Sequence, residues 1–448
     1  MKISSLNIFS NKDQIAWVGA GGKTSLIFSI ARELFSQKCV ISTSAKMALD
    51  EIMKSDQAFK VSSFSDLNIE NLSGVCLLYK DLADDDKSKI IGLDVQQLET
   101  LSQSMKINEI PLLIEADGSK RKSLKFPGIH EPNIPEFVNK VCVVAGLSVI
   151  GKPLSDQDFH RPNEIAQAIG ISLGDIFTAD HLFKILTNPE GGLKNIPQNA
   201  EKIVFLHQAD QMVNSNDINI LAYNLKKYFD HVILSHLENG CLEIVAHWGN
   251  IGCVILAAGS SSRFGSPKQL AIYNNETFIE TVIQKALKIN FSEILVVLGA
   301  YYEEIYPIIN KFNVRIINNH DWEKGQATSV KTGVTEISKN KIEAILFLLV
   351  DQPQISTKII KNVLNIFAYQ KSNIIVHSFN EQNSHPILFS HKTFSDLLKI
   401  EGDQGGRQLF KMYSPRKIKL EDSILAMDID TMNDLLKINN SIRRISGL

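Results

Sequence analysis

Short apolar runs alternate with segments of helical spacing along the whole chain, a pattern that predicts α/β layers with largely parallel sheets. Two series of strand-like runs stand out. The first comprises residues 14–20, 39–43, 75–79, 111–116, 141–145, 202–207 and 231–235; the second opens at 252 and continues through 293–299, 314–318, 344–350 and 373–377. His247-Trp-Gly-Asn-Ile251 is the junction between them, and its shortness leaves two domains little freedom to separate. The domains expected are residues 1–247 and 251–448, and no internal repeat relates them.

Composition narrows the function. At 448 residues, 44% hydrophobic and 21% charged, the chain can bury two substantial cores. A net charge of −2 gives no global pull toward nucleic acid or an anionic membrane, so polyphosphate affinity has to come from local sites and the ligand expected is a small molecule. The five cysteines, Cys39, Cys76, Cys142, Cys241 and Cys253, form no C-x-x-C and sit in or beside strand-like runs; they read as buried, reduced thiols. Residues 1–9 have no apolar core of signal-peptide length, and the run 344–350 is far too short to span a bilayer. The expectation is a cytoplasmic protein without membrane insertion.

The densest chemistry lies in Leu256-Ala-Ala-Gly-Ser-Ser-Ser-Arg-Phe-Gly-Ser-Pro-Lys268. An apolar strand runs into a loop that Gly259 and Gly265 allow to curl around a ligand with its N–H groups turned inward. Arg263 and Lys268 bring two cations to the same loop. Leu256, Ala257, Ala258 and Ser262 complete the set expected at a nucleotide. The spacing resembles the signature of nucleotidyltransferases that attach NMP to a phosphate; an ordinary strand-to-helix turn with solvated charges is the alternative. In an open α/β sheet, ligands sit beyond the carboxyl ends of the strands. Asp351 stands there, directly after the apolar run 344–350 and before Gln352-Pro353, where a carboxylate can hold Mg²⁺ against a triphosphate or cap a helix. Attack of a phosphate oxygen on the α-phosphorus of an NTP requires cations and oriented donors, which makes Arg263, Lys268 and Asp351 the catalytic candidates. Gly325, Ser329 and Gly333 recur at four-residue spacing on one helical face, open either to close approach of a base or ribose or to packing on a sheet.

The first half opens with its own phosphate-loop pattern. Gly19-Ala-Gly-Gly-Lys-Thr24 follows an apolar run and precedes a helical segment over 25–35. That context suits phosphate at a helix N-terminus, with Gly19 and Gly22 shaping the turn, Lys23 supplying charge and Thr24 a ligand for Mg²⁺. Trp17 replaces the first glycine of the longer pattern, leaving the shorter G-x-x-G-K-T form, similar to that of Mur ligases. Glu115 and Asp117 at the end of the run 111–116 fall on one strand face and are the acidic partners expected for the metal or an attacking group. The basic turn Gly118-Ser-Lys-Arg-Lys122 reads either as an anion site or as a solvated loop. His207-Gln-Ala-Asp210 only faintly resembles the N-K-x-D base-reading element, and plain strand-to-loop chemistry is the preferred reading there.

Motifs in the second half resemble the molybdenum cofactor cytidylyltransferases (MocA-like) and, more widely, the molybdenum cofactor guanylyltransferases. They are the Leu256–Lys268 loop, Trp322 with Gly325, Ser329 and Gly333, Val350-Asp-Gln-Pro353, Ser384-His-Pro386, Gly402-Asp-Gln-Gly-Gly-Arg407, and Asp428-Ile-Asp-Thr431 followed by Asp434. The resemblance implies a Rossmann-like nucleotidyltransferase domain of the nucleotide-diphospho-sugar transferase type, with CTP on the first loop, Mg²⁺ on Asp351 and Asp430, and molybdopterin as acceptor near His385, Pro386, Gly402, Asp403 and Arg407. Phe264 and Ser384 depart from the residues common in that family, methionine and asparagine respectively.

The first half resembles the YqeC-like family, accessory proteins for selenium-dependent molybdenum hydroxylases, through Gly19–Thr24, Ser42-Thr-Ser-Ala-Lys-Met47, Glu115-Ala-Asp-Gly-Ser-Lys120, His130-Glu-Pro132 and His160-Arg161. A P-loop-like α/β domain binding ATP or GTP is implied, with a molybdenum hydroxylase apoenzyme as partner. The resulting expectation is CMP transfer from CTP to molybdopterin with release of pyrophosphate. The alternatives are a GTP-dependent guanylyltransferase, a sugar- or alcohol-phosphate nucleotidyltransferase, and a nucleotide-regulated assembly chaperone.

Overall fold

The computed structural model describes residues 1–61, 68–84, 86–211 and 215–438. The chain divides into two compact units, Met1–Trp248 and Gly249–Leu448.

Unit 1 is built on nine strands: β1 (Gln14–Gly19), β2 (Lys38–Thr43), β3 (Gln57–Lys60), β4 (Gly74–Tyr79), β5 (Leu112–Glu115), β6 (Lys140–Gly146), β7 (Glu201–His207), β8 (His231–Glu238) and β9 (Cys241–Trp248). Their order across the sheet is β9-β8-β7-β6-β1-β5-β2-β4-β3. Every neighbouring pair is parallel except β8 with β9. Strand β1 is therefore central, and it is apolar from Ile15 to Val18, as a parallel strand covered on both faces has to be; it delivers Gly19 to the carboxyl edge of the sheet. Helix α1 (Lys23–Leu34) follows at once and buries Leu26, Ile27, Ile30 and Ala31 in the same cluster as Ile15 and Trp17.

The main sheet of unit 2 has seven strands among the described residues: β10 (Ile251–Ala257), β11 (Glu293–Leu298), β12 (Arg315–Asn318), β13 (Ala344–Leu349), β14 (Ile374–Phe379), β15 (Gln382–Ser390) and β16 (Arg416–Lys419). Their order is β12-β11-β10-β13-β15-β14-β16. Strand β15 runs antiparallel to both β13 and β14, and the other neighbours are parallel. Helix α2 (Gln326–Ile337) lays Ala327, Val330, Val334 and Ile337 on Val254 and Leu256 of β10.

Several details differ from the sequence reading. The junction is shorter than expected, because His247 and Trp248 close β9 and Ile251 opens β10. Four strands carry no long apolar run: β3 is a four-residue edge strand with polar ends, β16 is an edge strand with three cations in four residues, β15 begins with polar residues, and β9 is the return arm of a hairpin. Asn239-Gly240, at φ 51° and 79°, makes the tight turn of that hairpin. The cysteine expectation also needs one correction. Cys39, Cys76, Cys142 and Cys253 are buried, and burial raises the Cys39 thiol pKa to about 12, but Cys241, at the start of β9, is exposed. Among the described residues, no helix is long and apolar enough to cross a membrane.

Candidate active site

In unit 2 the carboxyl ends of β10 and β13 open onto a cleft of about 720 Å³. The loop after β10 forms one wall. Gln269, 1% exposed, holds that wall from beneath by donating through Nε2 to Ala257 O at 2.9 Å and Gly259 O at 2.8 Å. Tyr301 Oη donates to Ser260 O at 2.8 Å. Neither anchor was singled out in the sequence, since a glutamine or tyrosine that fastens a distant carbonyl carries no spacing signal.

Four charged side chains from three separated stretches meet at the cleft. Lys268 Nζ lies 2.9 Å from Asp351 Oδ2 and 3.0 Å from Asp430 Oδ1, while Arg263 Nη1 lies 3.2 Å from Asp430 Oδ2. Burial alone would lower the Lys268 pKa, yet the two carboxylates override it and the net shift is upward. The ammonium is thus held charged. Asp430 reaches the site because Ile429 N donates to Asp351 O at 3.0 Å, tying the late chain to the end of β13.

The donor set fits a divalent cation. Asp351 Oδ1 is buried and without a hydrogen-bond partner among the described residues, so one oxygen of a carboxylate on the cleft wall is desolvated and unspent. Hard carboxylate oxygens from Asp351 and Asp430 are the ligands Mg²⁺ takes. Asp428 stands behind them; burial and the neighbouring Asp351 charge push its pKa up to about 6, and Gln352 Nε2 donates to its Oδ1 at 2.7 Å. The same Gln352 amide lies 3.2 Å from Ser384 Oγ. The sequence shows Gln352 and Asp428 only as parts of motifs, because their contribution arises where two loops meet β15.

Leu256, Ala257, Ala258, Gly259, Ser262, Arg263, Lys268, Ser329 and Asp351 all line the cleft, together with Trp322, Gln326 and Asp403. Gly265 and Gly333, expected at the nucleotide, are not among its lining residues. Gly265 sits at φ +80° with open space where a Cβ would be, so it shapes the loop. Gly333 packs on the sheet: a Cβ there would lie 2.7 Å from Val254 Cγ1. Of the expected acceptor residues, Asp403 faces the open cleft, whereas His385 and Arg407 line a small enclosed pocket with Leu256 and Gln326. His385 is withdrawn because β15 is sandwiched between β13 and β14; burial first, then the charge of Arg407, lowers its pKa to about 3.

In unit 1 the expected residues converge at the end of β1. Lys23 Nζ donates to Gly19 O at 2.6 Å and lies 3.1 Å from Asp117 Oδ1 and 3.9 Å from Glu115 Oε1; Thr24 Oγ1 donates to Glu115 Oε2 at 2.8 Å. Burial raises the Glu115 pKa against the pull of Lys23. The network continues outward through Lys125, 2.9 Å from Asp117 and 2.8 Å from Glu131, to Arg161, 2.8 Å from Glu131. Lys125 was not anticipated, and His130 of the same motif is exposed.

The glycine loop needs a correction. Gly19 N donates to Asp117 Oδ2, Ala20 N to Val144 O and Gly21 N to Lys122 O, so these amides are already engaged by the protein. The remaining donors are those of the first turn of α1, which a helix leaves without intrahelical partners.

Comparison with known proteins gives one family match in each unit. Residues 253–418 match the family described as MobA-like NTP transferase domain, and residues 15–163 match the YqeC protein family. Purine catabolism protein PucB of Bacillus subtilis (strain 168) is 30% identical over 191 residues, covering 40% of this chain and 90% of that protein. The C-terminal unit belongs to the MobA-like NTP transferase family. Within that family, the molybdenum cofactor cytidylyltransferase of Escherichia coli (strain K12) is 29% identical over 187 residues, 42% of this chain and 94% of that protein. The N-terminal unit carries the YqeC family match and is similar to the YqeC protein of Escherichia coli (strain K12), at 28% identity over 208 residues, 45% of this chain and 78% of that protein.

Proposed function

We propose that the MobA-like unit transfers CMP from CTP to the terminal phosphate of molybdopterin, releasing pyrophosphate, and that the YqeC unit binds ATP or GTP with Mg²⁺ in support of molybdenum hydroxylase maturation. The observation that carries the reading is the ammonium of Lys268 shared between Asp351 and Asp430 on the wall of the cleft. The relative named as a molybdenum cofactor cytidylyltransferase supports the choice of donor and acceptor.

In the reaction, an oxygen of the acceptor phosphate attacks the α-phosphorus of CTP, a new P–O bond forms, and the bond to the β-phosphate breaks with pyrophosphate as leaving group. The loop after β10 surrounds the triphosphate, with Ser262 and the loop amides as neutral donors. Arg263 and Lys268 offset the charge that accumulates on the phosphate oxygens. A divalent cation bound by Asp351 and Asp430 would supply Lewis acidity at the phosphates. Trp322 and Gln326, which also line the cleft, offer a flat ring and an amide to a base or pterin. No nucleophilic side chain is needed.

The test is pyrophosphate release by the full chain with Mg²⁺ and molybdenum cofactor, supplying CTP, GTP and ATP separately. CTP-selective release with formation of a cytosine dinucleotide cofactor is expected. GTP selectivity would move the activity to guanylyl transfer, and the absence of acceptor-dependent release with intact cofactor would remove molybdopterin as the acceptor.

A further inference from the structure

His207 ends β7, two strands from β1 and on the same carboxyl edge of the sheet as Gly19. It is 3% exposed. One ring nitrogen is engaged, with Nδ1 2.9 Å from Ser235 Oγ on β8. The opposite edge of the ring faces Gly22, the residue that caps α1: a Cβ on Gly22 would lie 3.0 Å from His207 Cδ2 and 3.3 Å from Nε2. No partner is recorded for Nε2 among the described residues. A buried imidazole therefore presents one unspent polar atom to the first turn of a helix whose leading amides are also unspent.

The ring is suited to an anion in spite of being neutral. Burial lowers its pKa to about 4, so near pH 7 it carries a single ring proton. Ser235 meets the ring with its backbone as well as its hydroxyl; in the tautomer in which the hydroxyl donates to Nδ1, the ring proton sits on Nε2 and the free edge is a donor. Such a donor adds no desolvated charge beside Lys23, Glu115 and Asp117, whose charges already fill the neighbourhood of Gly19. Gly22 matters for the same reason, since any side chain there would push the ring away.

We propose that His207 is a direct phosphate contact of the YqeC unit, donating its Nε2 proton to an oxygen of a nucleotide polyphosphate seated at the N-terminus of α1. The proposal rests on the reading of this unit as an NTP-binding domain and adds a residue from outside the glycine loop and its acidic partners.

The experiment uses the full chain with Mg²⁺ and ATP, and defines the N-terminal site as the binding that Lys23→Ala removes. His207→Phe, which keeps the ring volume but has no donor, is expected to weaken that binding about tenfold or more, as the loss of a hydrogen bond to a charged group does. His207→Gln, whose Nε2 lies close to the position of the imidazole Nε2, is expected to restore it to within a few-fold of the parent. In ¹⁵N-histidine spectra, one Nε2–H tautomer should shift on ATP addition and be missing from the His207 variants. Thermal midpoints within a few degrees of the parent are the check that both variants fold. If Lys23→Ala removes no binding, the NTP reading of the unit fails. If Lys23→Ala removes a site that His207→Phe leaves intact, or if His207→Gln is as weak as His207→Phe, the proposal is overturned and the NTP reading stands.

Discussion

Lys268 and Asp351, 83 residues apart in sequence, meet at 2.9 Å between Nζ and Oδ2. The ammonium occupies the space between Asp351 and Asp430 that a divalent cation would also favour, so lysine and metal would compete for the same two carboxylates. Lys268→Ala is then expected to have two opposite effects. Turnover should fall by about 10²-fold, the scale of losing one electrostatic stabiliser of a transition state, while the affinity of the nucleotide-free protein for Mn²⁺ or Mg²⁺ should rise because the competing cation is gone. Steady-state pyrophosphate release and metal titration by calorimetry or electron paramagnetic resonance check both. A variant with unchanged metal affinity would separate the lysine from the metal site.

Asp351→Asn keeps the shape of the residue and removes its charge. Turnover should fall at least about 10²-fold, with the melting temperature held close to the parent and CTP still bound. If the variant turns over normally, the cleft has no need of the carboxylate and Asp351 leaves the catalytic set.

The sequence displayed the cleft's loop, its metal-side aspartate and both sheets, because these depend on apolar runs and glycine spacing that are local. It did not display the fastening of the loop by Gln269, the Gln352–Asp428 contact or the place of His385, since each depends on where a distant strand ends. Gly333 shows the ambiguity directly. Four-residue spacing placed it on one helix face with Ser329, yet Ser329 lines the cleft and Gly333 meets Val254.

Gly333→Ala tests that packing role. Its new methyl would be 2.7 Å from Val254 Cγ1, a buried side chain in the middle of β10. Overpacking at such a site costs about 1–3 kcal/mol, partly offset by the roughly 1 kcal/mol gained when alanine replaces glycine in a helix. Chemical denaturation should show a net loss of stability, with KM for CTP little changed. A large KM effect without destabilisation would return Gly333 to the nucleotide.

Two buried histidines give unit 2 a defined pH response. Burial holds His377 at about 4 and His385 at about 3, against about 6.5 for an exposed histidine. Between those values the unfolded chain binds protons that the folded chain refuses, so their stabilisation is complete above pH 6.5 and is lost as the pH falls toward 4. Asp428, raised to about 6, works in the opposite direction below pH 6, but one carboxyl opposes two histidines. The urea midpoint should drop between pH 7.5 and pH 5, and His385→Gln should flatten the slope; a midpoint that rises over this range would contradict the assignment.

Lys23 separates charge from packing in unit 1. Its ammonium touches Gly19 O, Asp117 and Glu115 while 3% of the residue is exposed, so Lys23→Ala both removes a cation and leaves a gap. Lys23→Met fills the gap and removes only the charge. Asp117 keeps Lys125 in either variant, whereas Glu115 loses its nearest cation and, already raised by burial, is driven further toward the protonated form. Calorimetric titration with Mg²⁺–ATP and Mg²⁺–GTP should show binding weakened at least about tenfold in both variants, the order expected when a charged contact to phosphate is lost. Lys23→Met should melt above Lys23→Ala. Undiminished nucleotide binding by a folded Lys23→Met protein would leave the lysine as a structural counter-ion of Glu115 and Asp117, and the glycine loop without a phosphate.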